Sequence, residues 1–197
     1  AYRTIIRFNA TVAGAPSYPA DTNSGTLLNR YPIATTGDNH TGLTEKRYYW
    51  YSVWVMDSSR NISTVVQDSA WIPDRTNPNP VASFTATGSL ALRDTASLVW
   101  SNAGSSSDAR YVTIRFNTSV TPTSNYPATA SAGTLVDTFA MGVTSYKHRS
   151  LTEKTYYWYS VCVMDSSGNY STVVQDSAWI PDRTNPNLVA SFTATGS

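Results

Sequence analysis

Tyr48-Tyr49-Trp50-Tyr51-Ser52-Val53 reads YYWYSV, and Tyr156-Tyr157-Trp158-Tyr159-Ser160-Val161 reads the same. In an extended strand successive side chains point to opposite faces, so four aromatics in a row make both faces of a sheet apolar. The alternation assigns Tyr49, Tyr51, Val53 and Val55, with Tyr157, Tyr159, Val161 and Val163, to a core face. It leaves Tyr48, Trp50, Ser52 and Trp54, with Tyr156, Trp158, Ser160 and Cys162, on the opposite face. That second set is an aromatic stripe whose purpose the alternation alone does not give: cross-strand packing shielded by the stems of Arg7 and Arg115, a contact in an assembly, or a platform for sugar rings.

The stretch recurs because the chain is an internal repeat. LTEKRYYWYSVWVMDSSRNISTVVQDSAWIPDRTNPNPVASFTATGS begins at Leu43, and LTEKTYYWYSVCVMDSSGNYSTVVQDSAWIPDRTNPNLVASFTATGS begins at Leu151, 108 residues later. The same offset joins Arg7 to Arg115, Pro19 to Pro127 and Gly25 to Gly133. Residues 1–89 match residues 109–197, whereas residues 90–108 occur once. This phase suggests a window on a longer array, or a protomer that takes strands from a neighbour. The expected divisions are 1–75, a domain lacking its first two strands; 76–183, a complete domain; and 184–197, a linker with the first strand of a following domain. Val189 and Phe192 are the expected inter-domain strand residues.

Composition narrows the class. The formal net charge is +1 and only 14% of residues are charged, against about a quarter in average proteins; Ser and Thr supply the polarity. Nothing points to nucleic acid or to an acidic membrane surface. Cys162 is the single cysteine, so no disulfide can form within the chain. No apolar run approaches the length needed to span a bilayer.

Helix signals are scarce, and Thr, Val, Ile and Tyr in short runs punctuated by Gly, Pro, Asn and Asp read as strands. In the central copy seven strands are expected, at residues 81–88, 95–101, 110–116, 133–139, 144–148, 154–165 and 171–180. Seven short strands over about 100 residues suit an all-β, immunoglobulin-like sandwich. SLVW with Trp100, YVTIRF, GTLV and LTEKTYYWYSVCVMDSSGNYS resemble the bacterial extracellular version of the fibronectin type III domain. Leu151, Tyr157, Tyr159, Val161 and Val163, followed by Asp165-Ser166-Ser167-Gly168-Asn169, carry the likeness. The resemblance implies tandem fibronectin type III sandwiches with a 108-residue repeat, an extracellular or cell-surface setting, and Tyr157 as a tyrosine-corner residue. It fixes no activity.

No catalytic, cofactor or metal set emerges. His40 and His148 occupy equivalent positions without a second ligand nearby, and no phosphate loop, HExxH or GxSxG occurs. The repeated linker IPDRTNPN holds one acidic residue, too few for calcium, and reads as a stiff spacer. Asn9, Asn39, Asn61, Asn117 and Asn169 each begin an Asn-x-Ser/Thr sequon and are candidate glycosylation sites. The expectation is a non-enzymatic structural repeat that self-associates head-to-tail into a fibre, stalk or pilus-like filament. The alternative is a carbohydrate-binding adhesin, or an accessory module of a secreted glycosidase, using Tyr48, Trp50, Trp54, Tyr156 and Trp158 for glycan stacking or as an assembly contact.

Overall fold

A computed structural model describes residues 3–12, 14–89, 94–102, 104 and 108–196. The elements are all strands: β1 (Arg3–Thr11), β2 (Thr26–Pro32), β3 (Arg47–Met56), β4 (Val66–Ile72), β5 (Ser83–Gly88), β6 (Ala96–Ser101), β7 (Ala109–Ser119), β8 (Thr134–Ala140), β9 (Ser145–His148), β10 (Thr155–Asp165) and β11 (Val174–Ile180). The chain divides into two compact units, Ala1–Arg75 and Thr76–Ser197. Among the described residues there is no helix long and apolar enough to cross a membrane.

The second unit is a two-layer sandwich. One sheet runs β11-β10-β7-β8, the other β5-β6-β9. All pairings are antiparallel, as expected when one face of each sheet packs on a core. Tyr157, Tyr159, Val161 and Val163 of β10, with Val112 and Ile114 of the neighbouring β7, share one buried cluster with Phe84, Ala86, Leu98 and Trp100 of the opposing sheet. Phe116 is partly buried against the same cluster. Residues of alternate parity on β10, Trp158 and Cys162, lie on the far side of the sheet and are buried too.

The first unit repeats the larger sheet, in the order β2-β1-β3-β4. Its registers reproduce those of the second unit at the 108-residue offset: Tyr49 opposes Ala70 as Tyr157 opposes Ala178. A bulge falls between Ile6 and Arg7 of β1, and again between Ile114 and Arg115 of β7. A bulge re-aims the side chain that follows it; here the arginine reaches across to the carbonyl of Gly25 at 2.7 Å or Gly133 at 2.9 Å.

The second layer of the sandwich has no counterpart among the described residues of the first unit. Residues 37–40, equivalent to β9, form no strand there. β9 pairs only with β6, and a strand without a ladder partner leaves its amides and carbonyls to solvent. Its own sequence adds to this, since Gly37-Asp38-Asn39 stands where the second unit has Ser145-Tyr146-Lys147, exchanging strand formers for turn formers. Residues 184–196, expected to hold a linker and a first strand, carry no strand. Ser197, the last residue of that expected strand, lies outside the described residues.

Candidate functional site

The outer aromatic face is built the same way in both units. Cross-strand pairing sets Tyr48 opposite Trp71 and Tyr156 opposite Trp179, with ring centroids 4.7 Å and 4.5 Å apart. Tyr48 stacks on Trp50 at 5.3 Å, and Tyr156 on Trp158 at 5.7 Å. Tyr18 and Tyr126 close the row edge-on, 5.2 Å from Trp50 and 5.0 Å from Trp158. The result is a four-ring row per unit, of the offset and edge-to-face geometry that aromatic quadrupoles favour.

Most of this row is covered by its own unit. The segment after β1, and its equivalent after β7, folds over the outer face and is held by polar clamps. Ser52 donates to the Pro19 carbonyl at 2.9 Å and Ser160 to the Pro127 carbonyl at 2.7 Å. Gln67 and Gln175 donate to those same serine hydroxyls. Pro19 and Pro127 are among the most deeply buried residues of the chain. Trp50, Trp54 and Trp158 are buried, and Tyr48 and Tyr156 half-buried. The open indoles are Trp71 and Trp179, 44% and 40% exposed. Sequence reasoning passed over these two; the repeated SAWIP was their signal. Trp54 lies opposite Ile5 and Cys162 opposite Thr113, so both members of this outer pair shrink together between the units.

The sequons fall in three settings. The side-chain amides of Asn9 and Asn117 donate inward, to the Ser17 carbonyl at 2.7 Å and the Asn125 carbonyl at 2.9 Å; both hold the covering segment in place. Asn61 and Asn169 donate to the carboxylates of Asp57 and Asp165 within their hairpin turns. Asn39 is exposed.

The inner face differs between the units. In the second it is sealed. The Tyr159 hydroxyl meets His148 Nδ1 at 3.0 Å, Phe116 packs on the His148 ring at 5.0 Å, and Phe84 from the opposing sheet approaches Tyr159 at 6.4 Å. Burial holds the His148 imidazole below the usual histidine range and pushes the Tyr159 phenol far above its ordinary value. In the first unit His40 Nδ1 meets the Tyr51 hydroxyl at 2.9 Å in the same way.

In the first unit the same floor is open. Ile6, Tyr51 and Val53, equivalent to the fully buried Ile114, Tyr159 and Val161, are only half-buried. They line a cleft of about 630 Å³ together with Leu28, Leu43, His40 and Asp68. Asp68 is exposed, whereas its equivalent Asp176 accepts a 2.8 Å hydrogen bond from the Ala86 amide of β5. This cleft has an apolar floor, and two carboxylates, Asp38 and Asp68, line it.

No protein-family model matches the sequence, and neither does any curated protein. Among solved structures, the one described as "Structure of FN3tt mut" is similar to 54% of this chain over its full length, at 19% identity and a TM-score of 0.40. Titin domains A168–A170 align with 91% of this chain at 13% identity and a TM-score of 0.49. Chicken CNTN1 domains FN1–FN3 align with 90% of it at 14% identity and a TM-score of 0.45. The chain spans about half the length of those titin and CNTN1 structures, 55% and 56%. With β5-β6-β9 packed on β11-β10-β7-β8 and a tyrosine whose hydroxyl bonds the backbone upstream of β10, the second unit has a fibronectin type III-like fold.

Proposed function

We propose that the chain is a structural, non-enzymatic repeat module of an extracellular fibre, stalk or pilus-like filament, in which sandwich units follow one another head-to-tail. The observation that carries this reading is residues 189–196. They repeat residues 81–88 letter for letter after a linker that differs only in Leu188 for Pro80, and Phe192 stands 88% exposed. The linker and the first-strand sequence thus recur together at the 108-residue offset, which is the mark of a tandem array. Near-identical units joined by near-identical linkers repeat one rotation and translation, which generates a rod. Electron microscopy of the native material tests this: rods with an axial repeat are expected, and isolated globular particles at every concentration would overturn it.

A second reading, a carbohydrate-binding adhesin or accessory module, is supported by the exposed indoles of Trp71 and Trp179, each backed by a tyrosine. An open indole face offers the stacking surface that a sugar ring needs. Tryptophan fluorescence titrated with a polysaccharide panel would shift under this reading, and a flat response across the panel counts against it.

A further inference from the structure

We infer that the cleft beside Arg115, on the outer face of the second unit, binds an acidic sugar through its carboxylate, as a uronate would bind. The site stands on Arg115 and not on Trp179, so it goes beyond both readings above.

The cleft measures about 460 Å³, within the range of about 300–1,000 Å³ usual for small-ligand sites. It lies between two segments of one unit, residues 128–131 of the covering segment and residues 170–173 before β11. Arg115 is the one charged residue among the described residues of its lining. A guanidinium carries five N–H donors. One of these, on Nη1, reaches the Gly133 carbonyl at 2.9 Å. Nε is buried without a hydrogen-bond partner among the described residues, as is Nε of Arg7. A carboxylate is the group that the arginine fork holds best, through charge-assisted hydrogen bonds from neighbouring N–H groups.

The internal repeat supplies the comparison. Arg7 stands where the second unit has Arg115, and Asp21, Thr22 and Asn23 stand where it has Thr129, Ala130 and Ser131. The first unit thus carries a carboxylate of its own at this turn. Asp21 accepts the Asn23 and Ser24 amides at 2.7 Å and 2.8 Å. Those bonds hold its carboxyl below the ordinary value, and the positive charge of Arg7 adds to the pull. Thr129 keeps the turn: the Ala132 amide reaches the Thr129 carbonyl at 3.2 Å, as the Ser24 amide reaches the Asp21 carbonyl at 3.3 Å. It does not keep the charge. The second unit presents the same arginine with no carboxylate among the described residues of the lining, so the matching anion is left to a ligand.

The rest of the lining selects a sugar. Thr129, Ser131 and Thr172 bring hydroxyls to the cleft, and all three are exposed. Tyr170, 39% exposed, adds a phenol and an aromatic ring; the first unit has Ile62 at its place. Hydroxyls that both donate and accept, one aromatic ring and one cation match a pyranose bearing a carboxylate. A carboxylate without a sugar ring meets the cation alone.

Amide chemical-shift titration of the isotope-labelled 197-residue chain at fixed ionic strength tests the assignment, with sodium glucuronate, glucose and sodium acetate as probes. Glucuronate is expected to give saturable shifts confined to residues 128–131 and 170–173. Glucose lacks the charge and acetate lacks the ring, and each is expected to bind at least about tenfold more weakly, the loss of about one favourable contact. Thr129→Asp installs the residue that the first unit already accommodates at this turn. It should abolish the glucuronate response and leave the melting temperature unchanged. Arg115→Lys keeps the charge without the fork and should weaken glucuronate at least about tenfold. A glucuronate titration without saturable shifts, glucose or acetate equal to glucuronate, or a folded Thr129→Asp chain that binds as the parent does overturns the site. Trp71 and Trp179 lie outside the lining, so the fluorescence test of the stacking surface fails or succeeds independently of this one.

Discussion

The Tyr157 hydroxyl accepts a 2.8 Å hydrogen bond from the Thr152 amide, five residues upstream. Tyr49 and Thr44 repeat the bond at the same length. The bond ties the chain entering β10 to the core ring that the strand itself contributes. Tyr157→Phe keeps the ring and removes the acceptor. The second unit should lose about 1–3 kcal/mol, the cost of leaving a part-buried amide without its partner. Urea unfolding of parent and variant measures it, and an unchanged midpoint contradicts the role.

Acidification should weaken the second unit through His148. Burial lowers its folded pKa below the ordinary value of 6.5, so the unfolded chain takes up the proton first. The contribution is fully present above about pH 6.5 and is lost as the pH falls below that value toward the depressed pKa. Melting temperature should fall between pH 7 and pH 5, and His148→Gln should flatten that slope. A parent whose slope survives the substitution places the effect elsewhere.

The two hairpin turns after β3 and β10 differ at one telling position. Gly168 has φ +87°, and Arg60, its equivalent, is held at φ +70°. A side chain in the left-handed region costs roughly 1–2 kcal/mol. Arg60→Gly should raise the stability of the first unit by about 1 kcal/mol, and Gly168→Arg should lower that of the second by a similar amount. Both are read from denaturant midpoints, and opposite signs in the two units are the decisive outcome.

Cys162 should be silent to thiol reagents in the folded chain. Its side chain is buried and its Sγ lies 3.8 Å from the Thr113 carbonyl. Burial pushes the thiol up to about 11, leaving little thiolate at neutral pH. Labelling should be slow without denaturant and rise with the unfolding curve of the second unit. Rapid labelling of the native chain would contradict the covered outer face.

The strands were legible in the sequence because their cause is local. The period-2 spacing of Tyr157, Tyr159, Val161 and Val163 sets the faces of β10, and the structure puts these four in the core. What covers the other face was not legible. Pro19 and Pro127 act through their carbonyls and their burial, and neither leaves a periodic trace. Alternation therefore leaves Trp50 and Trp158 on the outer face without showing that their own unit covers them. The absence of a β9 counterpart in the first unit was hidden for a different reason: pairing with β6 is a long-range condition, which no window of residues 37–40 contains. Asp68 likewise acquires meaning only from the bond its twin makes to Ala86.

Residues 81–88 and 189–196 are one sequence written twice, and this has a consequence for how the chain reaches its native state. During refolding two segments compete for the slot against β11, and local sequence gives neither an advantage. The one that arrives through the shorter tether wins on kinetics. At high protein concentration a neighbour's copy becomes an equal competitor, and interchanged dimers accumulate as a slow phase whose amplitude grows with concentration. Synthesis from the N-terminus resolves the contest, since residues 81–88 emerge well before their duplicate.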